Sequence, residues 1–490
     1  MKLFAALTKY CILSITLGWM AMASAVSLNQ TADVSPILSE EELPFSIRIE
    51  LADFKLKDGF HSGAEAAYHG KWLMIAGRKN GLHSFNTKNP ESNFPPQKQN
   101  TSVYVVDPQS GKFYARALSD SSLSQHQIDL LSVTSPQCHQ DGKTLYMTGG
   151  YGVDTATNTF TTKDVLTAID IPALMHWVQH PLEKGDAASY IRQISNPVFK
   201  ITGGYMTKIG KVTLLVFGQD FEGFYFDFAR NSQVYSRQVR RFIIEDDGVN
   251  LSVKVLDPLP RAPNPNYRRR DLNILPVMRS NKEGCLVPGL VALSGVFTLS
   301  NGIWTVPVCI SATGKSHMKS ANSPKAFKQG MNNYLSAAIG LYSKNKKSMY
   351  NILLGGLSYG SFEDGVFKTD PDIGFTNQIT TVKIDQKGRF SQYLMKAEYP
   401  TVFAPFAPGK PLLFGTAAQF MPLPLTPMFS NGVLQLDTLI QLSLLTKSPV
   451  LLGYIVGGIE SVINDTTDER SQTAASPYVF KVILEPRITR

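Results

Sequence analysis

Residues 351–356 read NILLGG, and after a gap residues 378–390 read QITTVKIDQKGRF: a nearly continuous apolar run that stops on glycine, then a second β-rich run that closes in a polar turn. Runs rich in Val, Ile, Leu and Tyr, bounded by Gly, Asp, Pro or Ser, read as strands. The same unit occurs six times along the chain. The first runs are WLMIAG to Gly77, TLYMTGG to Gly150, TLLVFG to Gly218, LVALSG to Gly295, NILLGG to Gly356 and LLGYIVGG to Gly458. The second runs begin at Ser102, Asp164 (DVLTAIDIPAL), Gln238, Ile303, Gln378 and Ser476. Their apolar continuity implies strands covered on both faces, as when blades stack around an axis. A glycine at the inner end of each lets neighbouring backbones approach, or the chain bend left-handed.

Short β-like segments with tight turns precede the first runs, as in AEAAYHGK from Ala64, SPQCHQDGK from Ser135 and YMTKIGK from Tyr205. Fourth strands follow the second runs, as in KFYARAL from Lys112 and LSVKVLDP from Leu251, so the unit is a four-stranded blade. The sixth copy ends near Pro486 without an outer strand, whereas FSIRIEL, Phe45 to Leu51, stands unused before the first blade. Supplying it there closes the ring and removes exposed sheet edges. The expected fold is therefore all-β, a six-bladed propeller over 45–490 whose last blade is closed by the N-terminal strand. Residues 26–44 are expected to form an extension. An insertion at 424–448 carries LQLDTLIQLSLL, an amphipathic helix expected to dock on the propeller or a partner.

The glycine-ended strand, second strand and turn resemble the kelch repeat, with Phe113, Trp177 and Phe390 standing for its later aromatic positions. That resemblance implies a kelch-type propeller.

The 490 residues are 43% apolar and 18% charged, a composition that packs rather than stays disordered. Lys2 and Lys9, the run CILSITLGWMAMA and the exit Ala23-Ser24-Ala25 read as a secretory signal peptide of residues 1–25, cleaved before Val26. A secreted or periplasmic protein with no transmembrane anchor after cleavage is expected. Losing Lys2 and Lys9 lowers the formal net charge from +9 to +7, which weakly favours anionic surfaces or glycans. No Lys/Arg block has the density of a nucleic-acid arm, so nucleic acid is not expected. Cys138, Cys285 and Cys309 remain. Hairpin register puts Cys309 opposite about residue 290, several ~3.3 Å steps from Cys285, so free thiols are expected.

Turns between the first two and the last two strands of a blade are mostly short and share one rim. The connections Arg78–Thr101, Tyr151–Lys163, Gln219–Arg237, Leu357–Asn377 and Ile459–Ala475 are long and share the other, where binding is usually placed. In AGRKNGLHSF, Arg78, Asn80 and His83 follow an inner strand; a guanidinium can clamp a carboxylate and a histidine can exchange a proton. RRRDL brings Arg268, Arg269 and Arg270 to the same rim as an anion-binding mouth, or as a solvated basic loop. Tyr267, Gln219, Glu222, Tyr359 and Glu460 are further candidates for a polar ligand. The excursion DFEGFYFDF, Asp220 to Phe228, offers aromatic faces to a sugar or partner, or to its own propeller.

No H-E-x-x-H or C-x-x-C occurs. Gly314-Lys315-Ser316 fits a strand turn, and Asp370-x-Asp372-x-Gly374 lacks the remaining ligands of a calcium loop. Neither a metal nor a cofactor is expected. The leading reading is a non-catalytic extracytoplasmic module whose long-loop rim binds a protein or glycan. The enzyme alternative is similar in architecture to bacterial sialic-acid epimerases with six kelch-like blades; that resemblance implies an isomerase in which Arg78 and the Arg268 group hold the sugar acid. A copper oxidase resembling galactose oxidase would need a Tyr/Tyr/His set that the sequence does not present.

Overall fold

The computed structural model describes residues 34–281, 283–300, 302–464 and 472–487; the signal-peptide reading falls outside them. Six antiparallel blades succeed one another along the chain. The first is Ala64–Tyr68, Lys71–Ile75, Ser102–Asp107 and Lys112–Ala117; the second Gln137–Asp141, Thr144–Thr148, Val165–Asp170 and Ile191–Ser195. The third is Tyr205–Ile209, Val212–Val216, Val239–Asp246 and Leu251–Leu259; the fourth Ile274–Ser280, Leu286–Ala292, Val308–Ser311 and Ser316–Met318. The fifth is Ala337–Ser343, Ser348–Glu363, Val366–Ile384 and Phe390–Glu398. Leu413–Pro422, Val450–Ser461 and Tyr478–Pro486 make the sixth, and its outer strand is Phe45–Lys55 from the N-terminus, with Phe45 opposite Pro486 and Ile49 opposite Val482. The fold is thus a six-bladed β-propeller with the expected closure.

Repetition in sequence becomes repetition in backbone at the axis. All six strand-ending glycines have positive φ, from +76° at Gly218 to +112° at Gly295. The residue before each is left-handed too, whether Gly149, Gly355 and Gly457 or Ala76, Phe217 and Ser294, so a double glycine is needed in only some blades. Where it is needed the reason is space: a Cβ on Gly149 would lie 2.0 Å from the Ile201 carbonyl oxygen of the next blade. A second left-handed residue opens each blade, at Ser62, Ser135, Gly203, Asp271, Leu335 and Ala417. Around the axis Ser135 N–H donates to Ser62 O (2.9 Å), Gly203 to Ser135 (3.2 Å), Asp271 to Gly203 (2.9 Å) and Ala417 to Leu335 (2.5 Å). These bonds lace successive blades together and satisfy backbone groups that no strand ladder reaches.

Several local expectations change. The run DVLTAIDIPAL leaves the sheet at Asp170, whose carboxylate caps the Ala173 N–H and starts a helix, Ile171–Gln179, with Pro172 in its first turn. Trp177 therefore belongs to that helix, under the Arg116 guanidinium at 4.0 Å, and not to the repeat. Residues 37–39 of the extension pair in parallel with the outer strand of blade five, Ile37 opposite Gln392. The buried Glu40 then binds Arg487. In the insertion, the helix Leu436–Thr446 docks by Leu436 and Leu439, while Asp437 accepts from Ser343 Oγ and Lys344 N–H, both at 2.7 Å. Cys309 pairs with Val291, and all three cysteines are free thiols. No helix among the described residues is long and apolar enough to cross a membrane.

Two long connections build a sheet of their own. The hairpins Tyr151–Asp154/Thr159–Thr162 and Gln219–Glu222/Ser232–Tyr235 join through Thr161 opposite Glu222 and stand on the rim above blades two and three.

Candidate functional site: the axial cavity

The residue after each strand-ending glycine pairs across its blade with the residue before the second left-handed one. The pairs are Arg78 with His61, Tyr151 with Thr134, Gln219 with Thr202, Val296 with Arg270, Leu357 with Tyr334 and Ile459 with Thr416. All twelve line one cavity of about 500 Å³ on the long-loop side of the axis. A second cavity, of about 400 Å³, continues below it toward the other rim, and Ser62, Ser135, Asp271 and Leu335 line both. The left-handed residues are therefore the waist of an axial channel.

Aromatic side chains from the long connections wall the upper cavity. His83 packs against Phe85 (4.7 Å), Phe94 (4.9 Å) and Tyr225 (4.6 Å). The excursion from Asp220 to Phe228 mostly turns inward: Phe221 and Tyr225 pack together, Phe226 lines the cavity with them, and Phe228 alone of its rings is largely exposed.

Arg78 is 2% exposed. Its Nε donates to Asn80 Oδ1 (2.9 Å), its Nη2 to Pro95 O (3.0 Å), and its plane lies 5.0 Å from the Phe94 ring. Burial lowers its pKa to about 10, so it remains a cation at neutral pH. No carboxylate pairs with it among the described residues, and Nη1 is left for a ligand. Beside it His61 is buried, with Nε2 2.8 Å from Asn80 O and Nδ1 2.9 Å from Ser62 Oγ. A carbonyl can only accept, so Nε2 carries the proton and Nδ1 takes the Ser62 hydroxyl. Burial first, and the Arg78 charge second, hold the His61 pKa at about 3. Burial likewise brings His83 to about 4.

Across the cavity Arg270 donates to Asp271 Oδ2 (2.5 Å) and Tyr235 Oη (3.1 Å), and its charge is neutralised on the spot. The three arginines of RRRDL do not converge. Arg269 is fully buried away from the cavity, bonded to Ser294 O (3.1 Å) and Val306 O (2.8 Å), with its guanidinium over Trp304. Arg268 lies over the Tyr235 ring and donates to Phe297 O and Thr298 O.

Of the other candidates, Gln219 is on the floor, accepting from Gln233 Nε2 (2.5 Å). Tyr267 stacks on Phe217 behind the wall. Glu222 pairs with Lys200 on the outer side of the rim sheet. Tyr359 is off the cavity, its N–H donating to Asn332 Oδ1. Glu460, one residue past Ile459, is buried outside it, where desolvation raises its pKa to about 7. The missed residues are Tyr151, Val296, Leu357 and Ile459, each legible as the residue after a strand-ending glycine. His61, Thr134, Thr202, Tyr334 and Thr416 precede the inner strands, where no motif marks them. Among the described residues the single grouping with metal-ligand geometry is His176, His180 and Glu183, exposed at a helix end and not in the cavity.

Fold and site together define a six-bladed β-propeller with an aromatic-walled axial pocket holding one unpaired arginine. No family model matches the chain, and no curated protein matches its sequence. Among solved structures, that of YjhT is similar over 88% of this chain and 98% of its own, at 11% identity and a TM-score of 0.43.

Proposed function

We propose that the protein is an extracytoplasmic, non-catalytic binding module whose axial cavity holds a small acidic glycan unit by its carboxylate. The observation that carries this reading is Arg78, a buried guanidinium with only neutral partners at the cavity wall. A desolvated cation without a counter-charge is costly, and a carboxylate arriving at Nη1 offsets that cost with a short charge-assisted bond. The surrounding rings offer flat faces for the apolar side of a sugar. Ala23-Ser24-Ala25 supports placement outside the cytoplasm.

The epimerase-like alternative needs a proton shuttle matched to the working pH. His61 at about 3 and His83 at about 4 are weak bases at neutrality, which favours binding over turnover. Calorimetric titration with N-acetylneuraminate and galacturonate, against neutral galactose, tests the proposal. The acids bind, and Arg78→Met weakens them about thirtyfold, the ~2 kcal/mol of a charge-assisted bond. Acids that bind no better than galactose overturn the reading. Stereochemical change in the sugar followed by NMR, abolished by Arg78→Met, establishes the enzyme instead.

A further inference from the structure

Blade four is cut short on its outer side. Its third and fourth strands, Val308–Ser311 and Ser316–Met318, have 4 and 3 residues, against 8 and 9 for the corresponding strands of blade three. Blade five keeps its full outer strand, Phe390–Glu398, and gains the parallel segment Ile37–Ser39 beyond it. Where a short blade faces a long one, part of the long blade's inner face has nothing to stack against. The result is a cleft of about 1090 Å³ between the two blades, about twice the axial cavity.

Its chemistry is one-sided. Lys315, Lys319 and Lys325 stand exposed around it, and no Asp or Glu lines it among the described residues. Arg389 also reaches it but is held by Asp385 at 2.7 Å. Arg279 enters from the inner strand of blade four, and its Nε and Nη2 are enclosed with no hydrogen-bond partner. An enclosed guanidinium nitrogen left unbonded carries its desolvation penalty uncompensated, and an anionic acceptor would offset it. Between these cations the lining mixes Ser311, Thr313, His317 and Ser391 with an apolar patch. Phe327 and Phe390 stack at 5.6 Å with their planes 20° apart, beside Pro288 and Pro307.

We infer that this inter-blade cleft is a second binding site, for a linear anionic glycan whose carboxylates or sulfates meet Arg279 and the three lysines while its ring faces lie on Phe390 and the prolines. Charge complementarity requires an anionic occupant. The cleft's form favours a glycan over an acidic peptide. Val308–Ser311 is hydrogen-bonded on both sides, to Leu286–Ala292 and to Ser316–Met318, so the wall presents side chains and ring faces. The edge that blade four leaves unpaired, Ser316–Met318, has only 3 residues, a poor template for an added peptide strand. This site is independent of the axial cavity and of Arg78.

The test is calorimetry on the full mature chain with a galacturonate oligomer of about six units, a hexaglutamate peptide and neutral maltohexaose; the oligomer length matches a cleft of this size class. The galacturonate oligomer binds, more weakly as NaCl rises from about 50 to 200 mM because screening shortens the reach of the lysines. The triple variant Lys315→Gln, Lys319→Gln, Lys325→Gln weakens it about tenfold or more while melting as the parent does, since all three side chains are exposed. Arg279→Gln weakens it further; all of these titrations use the Arg78→Met background, so that galacturonate held in the axial cavity does not contribute. Unchanged affinity in the triple variant, or no binding of the oligomer, overturns the site. Hexaglutamate binding as tightly as the glycan overturns the ligand class and makes the cleft a peptide surface.

Discussion

The waist of the channel and the floor of the cavity directly above it are neighbouring residues governed by opposite rules. Ser62, Ser135, Gly203, Asp271, Leu335 and Ala417 differ in every chemical respect yet share one left-handed conformation, because what the waist uses is their backbone. The residues just before them, His61, Thr134, Thr202, Arg270, Tyr334 and Thr416, share one extended bridge geometry, and there the side chains are what reach the cavity. One ring is tolerant of side chain and strict in shape. The other inherits its shape and is free to vary in chemistry. A repeat protein can in this way keep six equal blades while building a site with no symmetry at all.

The strict half of that comparison breaks most severely where the ring closes. Deleting Phe45 to Leu51 strips Tyr478–Pro486 of its ladder from Phe480 to Pro486 and opens the circle that fixes every waist residue. The expected outcome is loss of the cooperative thermal transition and of near-ultraviolet dichroism. A variant that still melts in one step at the parental temperature shows that the waist holds without closure.

Next in size is a side chain placed where only backbone fits. Gly149→Val puts a branched Cβ at φ +62° and 2.0 Å from the Ile201 oxygen, a rigid obstacle in the neighbouring blade. Gly142 has nearly the same φ, +58°, but nothing within 4 Å of its Cβ position. Urea unfolding should give more than about 4 kcal/mol for Gly149→Val and about 1 kcal/mol for Gly142→Ala. Equal costs would mean that conformation alone, and not the approach of adjacent blades, sets the requirement for glycine at the axis.

This division explains what could be read from the chain. Blade number, strand order and closure were legible because the apolar runs and their glycines repeat, and Phe45 to Leu51 had no other partner. The floor was half legible. Arg78 and Gln219 were visible after their glycines, whereas Val296, Leu357 and Ile459 occupy the same register without polar chemistry to draw notice. Strand alternation sorted the rest: Arg270 bridges Val296 and faces the ligand space, so Arg269 beside it faces Trp304. Glu460 is off the site by the same single step past Ile459. Nothing in the sequence marks His61, because its role comes from Arg78 seventeen positions later being folded against it. The cleft was illegible for another reason: it results from a blade being shorter than its neighbour, which no local motif records.

The smallest effect tests the permissive ring, whose chemistry should cost stability without altering the waist. His61 is held near pKa 3 and His83 near 4, both below the ordinary 6.5. The unfolded chain takes up a proton at each as pH falls through 6.5, and the folded one does not until pH reaches about 4 and about 3. The stability that these two rings contribute is therefore present above pH 6.5 and lost on acidification. At pH 5 each ring contributes a loss of at most about 2 kcal/mol, from 1.36 kcal/mol per pH step. His61→Asn lowers stability at pH 7.5 by removing the bond to Asn80, but its stability change from pH 7.5 to 5 should be less unfavourable than the parent's by up to about 2 kcal/mol, the share of His61, because groups common to both proteins, among them His83, Glu65 and Glu460, cancel in the difference. Melting curves of both proteins at the two pH values measure it. The same pH-dependent change in His61→Asn as in the parent would mean that the His61 ring already titrates normally in the folded state, and that the floor beside Arg78 is open to water.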